Sequence, residues 1–416
     1  MLPATISPVR RAVRRLLGRR SSTSHLAQVG PAAGAERFMN FSDDNAACPQ
    51  QKGVLRWLSA NGSRPPARIV DADDRMSANE AYELVSRGTG LLWRGDFHNA
   101  RQLLSAVSRR IRRTRTHGLS VSEAFHAHRR EQSRRARTLA LVLVRLDPGH
   151  VLPLRRAPDV RLACHEVYGQ ANVPYVVPLR ELFGVIGAHE WRKKGISIPA
   201  LGARIHAHYG VFAPTRGEYV DLIAETPLPS VELAFDIGTG TGVLAAVLTR
   251  RGVARVVATD SSARAIRCAE ENVRNLGLAG RIDLVQADLF PSGRAQLVVC
   301  NPPWLPAQPH SLLDHAVYDP DSRMLRDFLA GLPEHLRPGG EAWLILSDLA
   351  ERLGLRSRTE LLAAISGAGL RVVGRSDVRP SHPRASDPTD PLHTARSAEV
   401  TSLWRLASIG DRATRT

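Results

Sequence analysis

The sequence lacks long apolar runs, and its cysteines are few and scattered. The longest apolar stretch, Leu139 to Leu146, contains Arg145 and falls well short of the roughly 20 residues that span a bilayer. The sequence contains four cysteines, which are far apart: Cys48, Cys164, Cys268 and Cys300. The short apolar runs predict that no segment spans a membrane. Because the cysteines form no CxxC pair and no cluster with histidine, we also predict no disulfide framework and no metal site. This cysteine usage also favours a reducing compartment such as the cytoplasm.

Lysine is almost absent, whereas arginine is abundant. The chain contains 54 arginines and 3 lysines, and its formal net charge is +17. Residues 1–200 carry 33 basic and 16 acidic side chains, while residues 201–416 carry 24 of each. A genome-wide preference for arginine would act on both halves, so the excess charge of the first half needs a reason of its own.

The first 35 residues are predicted to be a basic, flexible tail. Six arginines precede the first acidic residue, Glu36, and a serine-rich stretch follows from Ser21 to Ser24. This pattern is typical of a basic extension on a cytoplasmic protein or of an organellar transit peptide. No apolar segment follows the charges, which excludes a secretory signal.

Residues 36–204 are predicted to form a smaller, mainly helical basic domain. Ser77 and Glu80 match the capping box that opens a helix. The stretch from Gly88 to Leu104 resembles a helical hairpin, and Ser120 predicts the start of a further helix that continues toward Leu146.

Arginines are concentrated in two runs of this region. Residues 109–115 and 129–137 contain ten arginines and a single acid, Glu131. Such runs often form a solvated helix face, but guanidinium groups also bind phosphate oxygens without reading a base sequence.

Residues 205–410 are predicted to form a doubly wound α/β domain around a mostly parallel, seven-stranded sheet. Short β-branched runs alternate here with helical stretches, which is typical of parallel strands joined by crossover helices. The predicted strands are 231–236, 255–259, 282–285, 295–300, 341–346, 370–373 and 399–406. The predicted helices are 242–250, 263–275, 322–336 and 349–368.

The first of these strands ends in an acid and a glycine-rich turn, which contains Asp236, Gly238, Thr239, Gly240 and Gly242. Glycines at this place let the backbone turn tightly and admit a ligand close to the strand end. A nicotinamide-binding fold uses the related spacing GxGxxG, but a valine stands at the third glycine position here.

Acidic residues follow the next two strands. Asp260 comes 22 residues after Gly238, which suits a carboxylate that binds a ribose diol. The third strand ends before Asp288 and Leu289, where an acid could accept a hydrogen bond from an adenine amino group. These positions predict a cofactor that contains adenosine.

The fourth strand is followed by Asn301, Pro302, Pro303 and Trp304. The prolines restrict the backbone and leave its carbonyl groups free to accept hydrogen bonds, as the Asn301 side-chain oxygen can. An aromatic face beside two acceptors suits a planar NH2 group, which would be oriented toward an electrophilic methyl group. This arrangement predicts transfer to an amino nitrogen.

With these four motifs in this order, residues 205–350 resemble the S-adenosylmethionine-dependent methyltransferases of the Rossmann-like class. The resemblance is specifically to N-methyltransferases with an NPPY-type motif, which include release-factor glutamine, ribosomal-RNA guanine and adenine, and DNA adenine enzymes. Trp304 stands where most of these families have tyrosine or phenylalanine. Residues 1–200 resemble neither the glutamine nor the guanine enzymes.

The resemblance implies roles for individual residues. It assigns the glycine turn with Asp236, Gly238 and Gly240 to the methionine end of S-adenosylmethionine and Asp260 to its ribose. It assigns Asp288 and Leu289 to the adenine, and residues 301–304 to the target amino group.

Several further polar residues have both a functional and a structural interpretation. Glu218 and Tyr219 could approach the ligands or pack a helix, and residues after the fourth strand, namely His315, Tyr318, Asp319 and Arg323, could border the substrate or lie on a surface loop. Asp348 is predicted to be a helix cap. Three histidines are predicted to be structural: His189, His206 and His208.

The amino-directed motif together with the arginine-rich half favours a base of RNA, rather than DNA, as the substrate. The alternative is the amide of a protein glutamine, with the basic half docking an acidic or ribosome-associated protein. A small-molecule amine is a third hypothesis. A non-catalytic RNA-binding protein on a decayed methyltransferase fold is a fourth, against which the intact motifs argue.

Overall fold

The protein is described by a computed structural model that covers residues 37–40, 54–111, 118–229, 231–380, 387, 390 and 392–410. The predicted tail, residues 1–35, lies outside these ranges. The chain divides into a first unit, residues 1–115 with 129–193, and a second unit, residues 116–128 with 194–416. This division falls earlier than the predicted boundary after residue 204. Within the described ranges, no helix has the length and apolar character needed to cross a membrane.

The first unit contains a six-stranded sheet. Its strands are β1 (Arg37–Asn40), β2 (Val54–Trp57), β3 (Arg68–Ala72), β4 (Thr89–Trp93), β5 (Val142–Leu146) and β6 (Tyr175–Pro178). Their order across the sheet is β1-β2-β6-β5-β4-β3. Its helices are α1 (Ala78–Ser86), α2 (Phe97–Arg110), α4 (Arg161–Tyr168) and α5 (Leu179–Lys194), together with the part of α3 (Val121–Leu139) that follows residue 128.

The prediction of a mainly helical region missed this sheet. The start of α1 is confirmed, because the Ser77 side chain accepts a hydrogen bond from the backbone N–H of Glu80. The hairpin prediction for residues 88–104 is wrong, since β4 occupies its first part and α2 its second. Likewise, α3 ends at Leu139 and β5 follows. The physical reason is that β4 and β6 are buried throughout, and such short apolar runs have no period that separates a strand from a buried helix.

The second unit is built on a seven-stranded sheet. Its strands are β9 (Leu233–Ile237), β10 (Arg255–Asp260), β11 (Ile282–Gln286), β12 (Ala295–Cys300), β13 (Leu336–Ser347), β14 (Leu370–Val378) and β15 (Thr401–Ser408). Their order is β11-β10-β9-β12-β13-β15-β14. A separate two-stranded sheet is formed by β7 (Ile196–Ile198) and β8 (Ala203–Ile205).

Helices connect these strands and cover the sheet. They are α6 (Glu218–Glu225), α7 (Val243–Arg250), α8 (Ala263–Asn275), α9 (Arg323–His335), α10 (Leu349–Arg352), α11 (Arg358–Gly367) and α12 (His393–Ser397). Five strands that are adjacent in the sheet run parallel, in the order β11, β10, β9, β12 and β13. The strand β15 runs antiparallel to its neighbours β13 and β14. The predicted doubly wound, mostly parallel fold is thereby confirmed.

One predicted helix is divided in two. Residues 349–368 form α10 and α11, separated by Gly354 with φ +64°. Ser357 and Glu360 then form a capping box, in which each side chain binds the other residue's backbone N–H. The left-handed glycine ends the first helix, and the capping box starts the second.

The core of the second unit lies on both faces of its sheet. Along β9, Ala234 packs into the cluster on one face and Phe235 into the cluster on the other. Val299 and Val298 of β12 divide in the same way. Because consecutive strand side chains point to opposite faces, these two strands are covered on both sides.

Asn272 on α8 connects three segments near the glycine turn. Its side-chain oxygen accepts from the His206 N–H at 2.8 Å, and its amide nitrogen donates to the carbonyls of Thr241 at 3.0 Å and His206 at 3.2 Å. The side chain is only 1% exposed. It therefore satisfies backbone groups that water cannot reach.

Replacing Asn272 by alanine is expected to lower the free energy of unfolding by about 1–3 kcal/mol, because it leaves buried partners without a hydrogen bond. Urea unfolding measures the change. Asn275→Ala, on the exposed last residue of the same helix, is the matched control and should cost much less. Equal losses would contradict this role of the Asn272 side chain.

Candidate active site

The two predicted motifs leave neighbouring strands at the same edge of the sheet. Strands β9 and β12 are parallel, with Asp236 opposite Val299 and Ile237 opposite Cys300. Strand order reverses between them, and ligands of open α/β sheets bind at the carboxyl ends of strands at such a point. The structure therefore brings the glycine turn and residues 301–304 together.

The glycine turn has the backbone conformation that the sequence predicts. Gly238 has φ +73° and Gly240 has φ +56°, in the left-handed region that side chains disfavour. A β-carbon at Gly238 would lie 3.1 Å from the Met324 side chain, whereas one at Gly240 would meet nothing within 4 Å. Gly240 therefore borders open space at the strand end.

Asp236 is a buried carboxyl group with one oxygen in use. Its Oδ2 accepts from the Thr239 hydroxyl at 2.6 Å and from the Ala245 N–H at 3.1 Å. Its Oδ1 is buried and has no hydrogen-bond partner among the described residues. Burial raises the pKa of Asp236 to about 6.

Asp260 closes the turn from the neighbouring strand. Its two oxygens accept from the backbone N–H groups of Gly240 at 3.0 Å and Ser262 at 2.9 Å. Burial raises the pKa of this carboxyl group, against the effect of these two hydrogen bonds. A carboxylate has about four acceptor positions, so Asp260 keeps the capacity to bind hydroxyl groups.

Asp288 and Leu289 lie beyond the end of β11. Asp288 is exposed and forms an ion pair with Arg323 at 3.3 Å. Leu289 has φ +72°, uncommon for a leucine, and its carbonyl accepts from the Thr259 hydroxyl at 2.5 Å. This bond connects the turn to the end of β10, beside Asp260.

Asn301 and Trp304 contact each other directly. The indole Nε1 of Trp304 donates to the Asn301 Oδ1 at 2.9 Å. The guanidinium carbon of Arg216 lies 4.9 Å from the centre of the Trp304 ring. We expected Trp304 to offer a flat face to the substrate, and one of its faces is occupied by Arg216.

Arg216 is not among the site residues that the sequence motifs predict. It lies in the segment before α6, where it donates to Glu218 at 2.6 Å and to Glu399 at 3.1 Å. The sequence feature that could have indicated its contact with Glu218 is the spacing, since Arg216 stands two residues before this glutamate, which begins an apolar helix. Glu399 is distant in sequence and carried no signal.

The remaining polar candidates have structural contacts. Glu218 is buried against Arg216, and burial raises the pKa of the packed Tyr219. Asp319 caps α9 by accepting from the backbone N–H groups of Met324 and Leu325.

The other candidates, on loops and among the histidines, either form structural contacts or are exposed. Asp348 precedes α10, but its Oδ1 accepts from the Val400 N–H rather than from the first turn of the helix. His315 is exposed. His208 pairs with Glu271, and the predicted structural role of His189 agrees with its contact to Glu166.

Comparison with known proteins identifies the class of the second unit. Residues 202–355 match the family model of the methyltransferase small domain. The predicted resemblance of this part of the chain to S-adenosylmethionine-dependent methyltransferases is confirmed, whereas its specific similarity to enzymes with an NPPY-type motif stays a prediction.

Individual relatives are similar over the same domain. Release factor glutamine methyltransferase of Cereibacter sphaeroides is 33% identical over 162 residues, which cover 34% of this chain and 58% of the relative. Ribosomal protein L11 methyltransferase of Pelotomaculum thermopropionicum is 33% identical, with 41% and 55% covered. Ribosomal RNA small subunit methyltransferase C of Alcanivorax borkumensis is 35% identical, with 26% and 30% covered. The chain thus spans little more than half the length of the first two relatives.

The residues at the carboxyl edge fit the cofactor of this class. The unpartnered Oδ1 of Asp236 can accept from an amino group, and Asp260 can accept from hydroxyl groups. A ligand could approach the backbone of Gly240 closely, because nothing lies within 4 Å of the place where a β-carbon would be. No group of three or more metal-ligating side chains occurs within the described ranges.

Asp236→Asn is expected to change how stability depends on pH. Between the ordinary aspartate pKa of 3.8 and the folded value of about 6, the folded chain holds a proton that the unfolded chain has released. The wild type therefore loses about 3 kcal/mol of unfolding free energy as the pH rises through this window. The asparagine variant has no such proton and lacks this loss. Urea unfolding of both proteins between about pH 4 and pH 7 measures it, and parallel pH profiles would refute the assignment.

Proposed function

We propose that this protein transfers a methyl group from S-adenosylmethionine to a planar amino nitrogen of an RNA base. The observation that carries this proposal is the juxtaposition of Asn301 with the glycine turn, on adjacent parallel strands at the point where strand order reverses. This geometry supports an amino-group acceptor beside a cofactor site.

The edge formed by β9, β10 and β11 would hold the cofactor. Asp236 and the turn of Gly238, Thr239, Gly240 and Gly242 would bind its methionine end, and Asp260 would bind its ribose. Asp288 and Leu289 would border its adenine. When bound, S-adenosylmethionine supplies an electrophilic methyl group.

Asn301 and the prolines orient the target nitrogen. The Asn301 Oδ1 has two lone pairs, one of which accepts from Trp304. The second accepts one hydrogen of the target NH2 group, and a backbone carbonyl of Pro302 or Pro303 accepts the other. Holding both hydrogens directs the nitrogen lone pair, so orientation and electrostatics carry the catalysis. The product nitrogen releases its extra proton to water.

Arginines of the first unit support RNA as the substrate. Arg130, Arg134 and Arg137 are exposed on α3 at helical spacing, which puts them on one face. Arg109 and Arg110 are exposed at the end of α2, while the neighbouring Arg112, Arg113 and Arg115 lie outside the described residues. Guanidinium groups in such numbers bind a phosphate backbone. The similarity to a ribosomal RNA methyltransferase agrees with this substrate.

A protein glutamine amide is the second candidate substrate. It presents the same planar NH2 group, and a release factor glutamine methyltransferase is 33% identical to this chain. In that case the arginines would dock an acidic or ribosome-associated protein. We also propose a cytoplasmic location, which the free thiols of Cys164, Cys268 and Cys300 support.

Tritiated S-adenosylmethionine and a lysate of cells that lack this gene test the function. We expect acid-precipitable label that RNase removes and protease does not. Label that protease alone removes would contradict an RNA substrate and support the glutamine amide. No label in either fraction would refute macromolecular methyl transfer.

In the same assay, Asn301→Ala is expected to lower methyl transfer at least about 100-fold, because it removes a preorganised acceptor. Binding of S-adenosylmethionine, measured by calorimetry, should stay within about twofold because Asn301 does not hold the cofactor. Asn275→Ala should leave both unchanged. Equal loss of cofactor binding and methyl transfer would show that Asn301 also holds the cofactor, against the assignment made here.

Replacing Arg130, Arg134 and Arg137 by serine is expected to weaken RNA binding and flatten its salt dependence. Each lost phosphate contact should reduce the slope of log K against log salt by about 0.7 for single-stranded RNA. The matched control replaces three exposed arginines of the second unit: Arg274, Arg326 and Arg371. An unchanged slope in the first variant would make these arginines an ordinary solvated helix face.

A further inference from the structure

We propose that Arg216 is a positioning residue for the amino-group site. Two buried carboxyl groups hold its guanidinium over the Trp304 ring, and Trp304 in turn fixes the amide of Asn301. This role rests on the proposed function, because it acts through the acceptor that orients the target nitrogen.

The guanidinium of Arg216 is held by one glutamate two residues away and by another that is distant in the sequence. Its Nε donates to Glu218 Oε1 at 2.6 Å, and its Nη2 donates to Glu399 Oε1 at 3.1 Å. The side chains of Glu218 and Glu399 are 4% and 0% exposed. The Ser347 hydroxyl, at the end of β13, donates to the same Glu399 oxygen at 2.6 Å. A planar group with two such contacts has little freedom to rotate.

The held guanidinium lies against Trp304. The distance of 4.9 Å from the guanidinium carbon to the ring centre is within the range of a cation–π contact. The ring also packs partly against the apolar clusters on both faces of the sheet. Arg216 therefore covers one face of the indole and restricts its plane.

The plane of the indole determines the orientation of the Asn301 amide. An indole N–H is a donor only, so the Asn301 atom that faces it at 2.9 Å must be the oxygen. A tyrosine hydroxyl, which both donates and accepts, would not impose this choice. Trp304 thereby keeps the acceptor oxygen, with its second lone pair, in one orientation.

The carboxyl cluster is not arranged for stability alone. The Oε2 of Glu399 is buried without a hydrogen-bond partner among the described residues. An apolar set of side chains would avoid the cost of this unpaired oxygen. The unpaired oxygen lowers stability, yet the cluster aligns Arg216 with the ring beside Asn301. This combination favours a functional role for the cluster.

A double-mutant cycle between Arg216→Met and Trp304→Phe tests the role. We expect Arg216→Met to lower kcat about 10- to 100-fold while the Kd for S-adenosylmethionine changes less than about twofold, since small misplacements of a reacting group have effects of this size. In the Trp304→Phe background, Arg216→Met should lower kcat less than about twofold further. Additive losses in the two backgrounds would overturn the role.

Two companion variants separate positioning from folding. Arg216→Lys retains the charge between the carboxyl groups but lacks the planar fork, so it should keep the unfolding midpoint and still lower kcat about 10-fold. If the lysine variant keeps full kcat, only the positive charge at position 216 matters, and Arg216 has no positioning role. Should Arg216→Met not fold, the double change Arg216→Met with Glu399→Gln removes one buried carboxyl group and takes its place in the cycle.

Fluorescence tests the same contacts without any activity. The chain has six tryptophans, and the difference spectrum against Trp304→Phe isolates Trp304. Arg216→Met should change that difference spectrum and leave the Trp304→Phe spectrum unchanged. Arg251→Met is the matched control, because Arg251 is a partly buried arginine that binds the Ile223 and Thr226 carbonyls. An unaltered Trp304 spectrum refutes the positioning role, whereas an inactive wild type with an altered spectrum refutes only the proposed function.

Discussion

The parallel pairing of β9 with β12 is the constraint on which the site depends. Both strands are buried on both faces, so their side chains are committed to the core and only their carboxyl ends can present polar groups. Strand order reverses at this pair, and the connecting segments leave the sheet in opposite directions. The glycine turn and residues 301–304 therefore meet at one crevice although about 60 residues separate them in the sequence.

Buried carboxyl groups around this crevice are incompletely satisfied. Asp236 and Glu399 each have one oxygen without a hydrogen-bond partner among the described residues, and burial raises the pKa of Asp236 to about 6. Such groups lower stability, since water is lost and no partner replaces it. Their concentration at the carboxyl edge, beside Gly240 and Trp304, is typical of a place where a ligand completes the set of contacts.

The second unit was far more predictable than the first. In the second unit, β12 has the predicted bounds, and α8 spans the predicted residues 263–275, because alternating strands and amphipathic helices have distinct periods. In the first unit, short buried strands such as β4 and β6 have no alternation, and the sheet was missed. The break between α10 and α11 was also missed, since a single left-handed glycine and a capping box decide it locally.

The sequence by itself determined the fold class of the second unit and which residues lie at its carboxyl edge, because motifs at successive strand ends are local features and parallel strands collect them at one edge. Tertiary structure alone decided which side chains pack around Asn301 and Trp304. Arg216, Trp304 and Glu399 come from three segments that share no sequence pattern, and only the completed sheet brings Glu399, next to β15, against Arg216. Long-range contacts between buried polar groups leave no periodic signal in a sequence, so which arginine meets which glutamate is settled only when the core is packed.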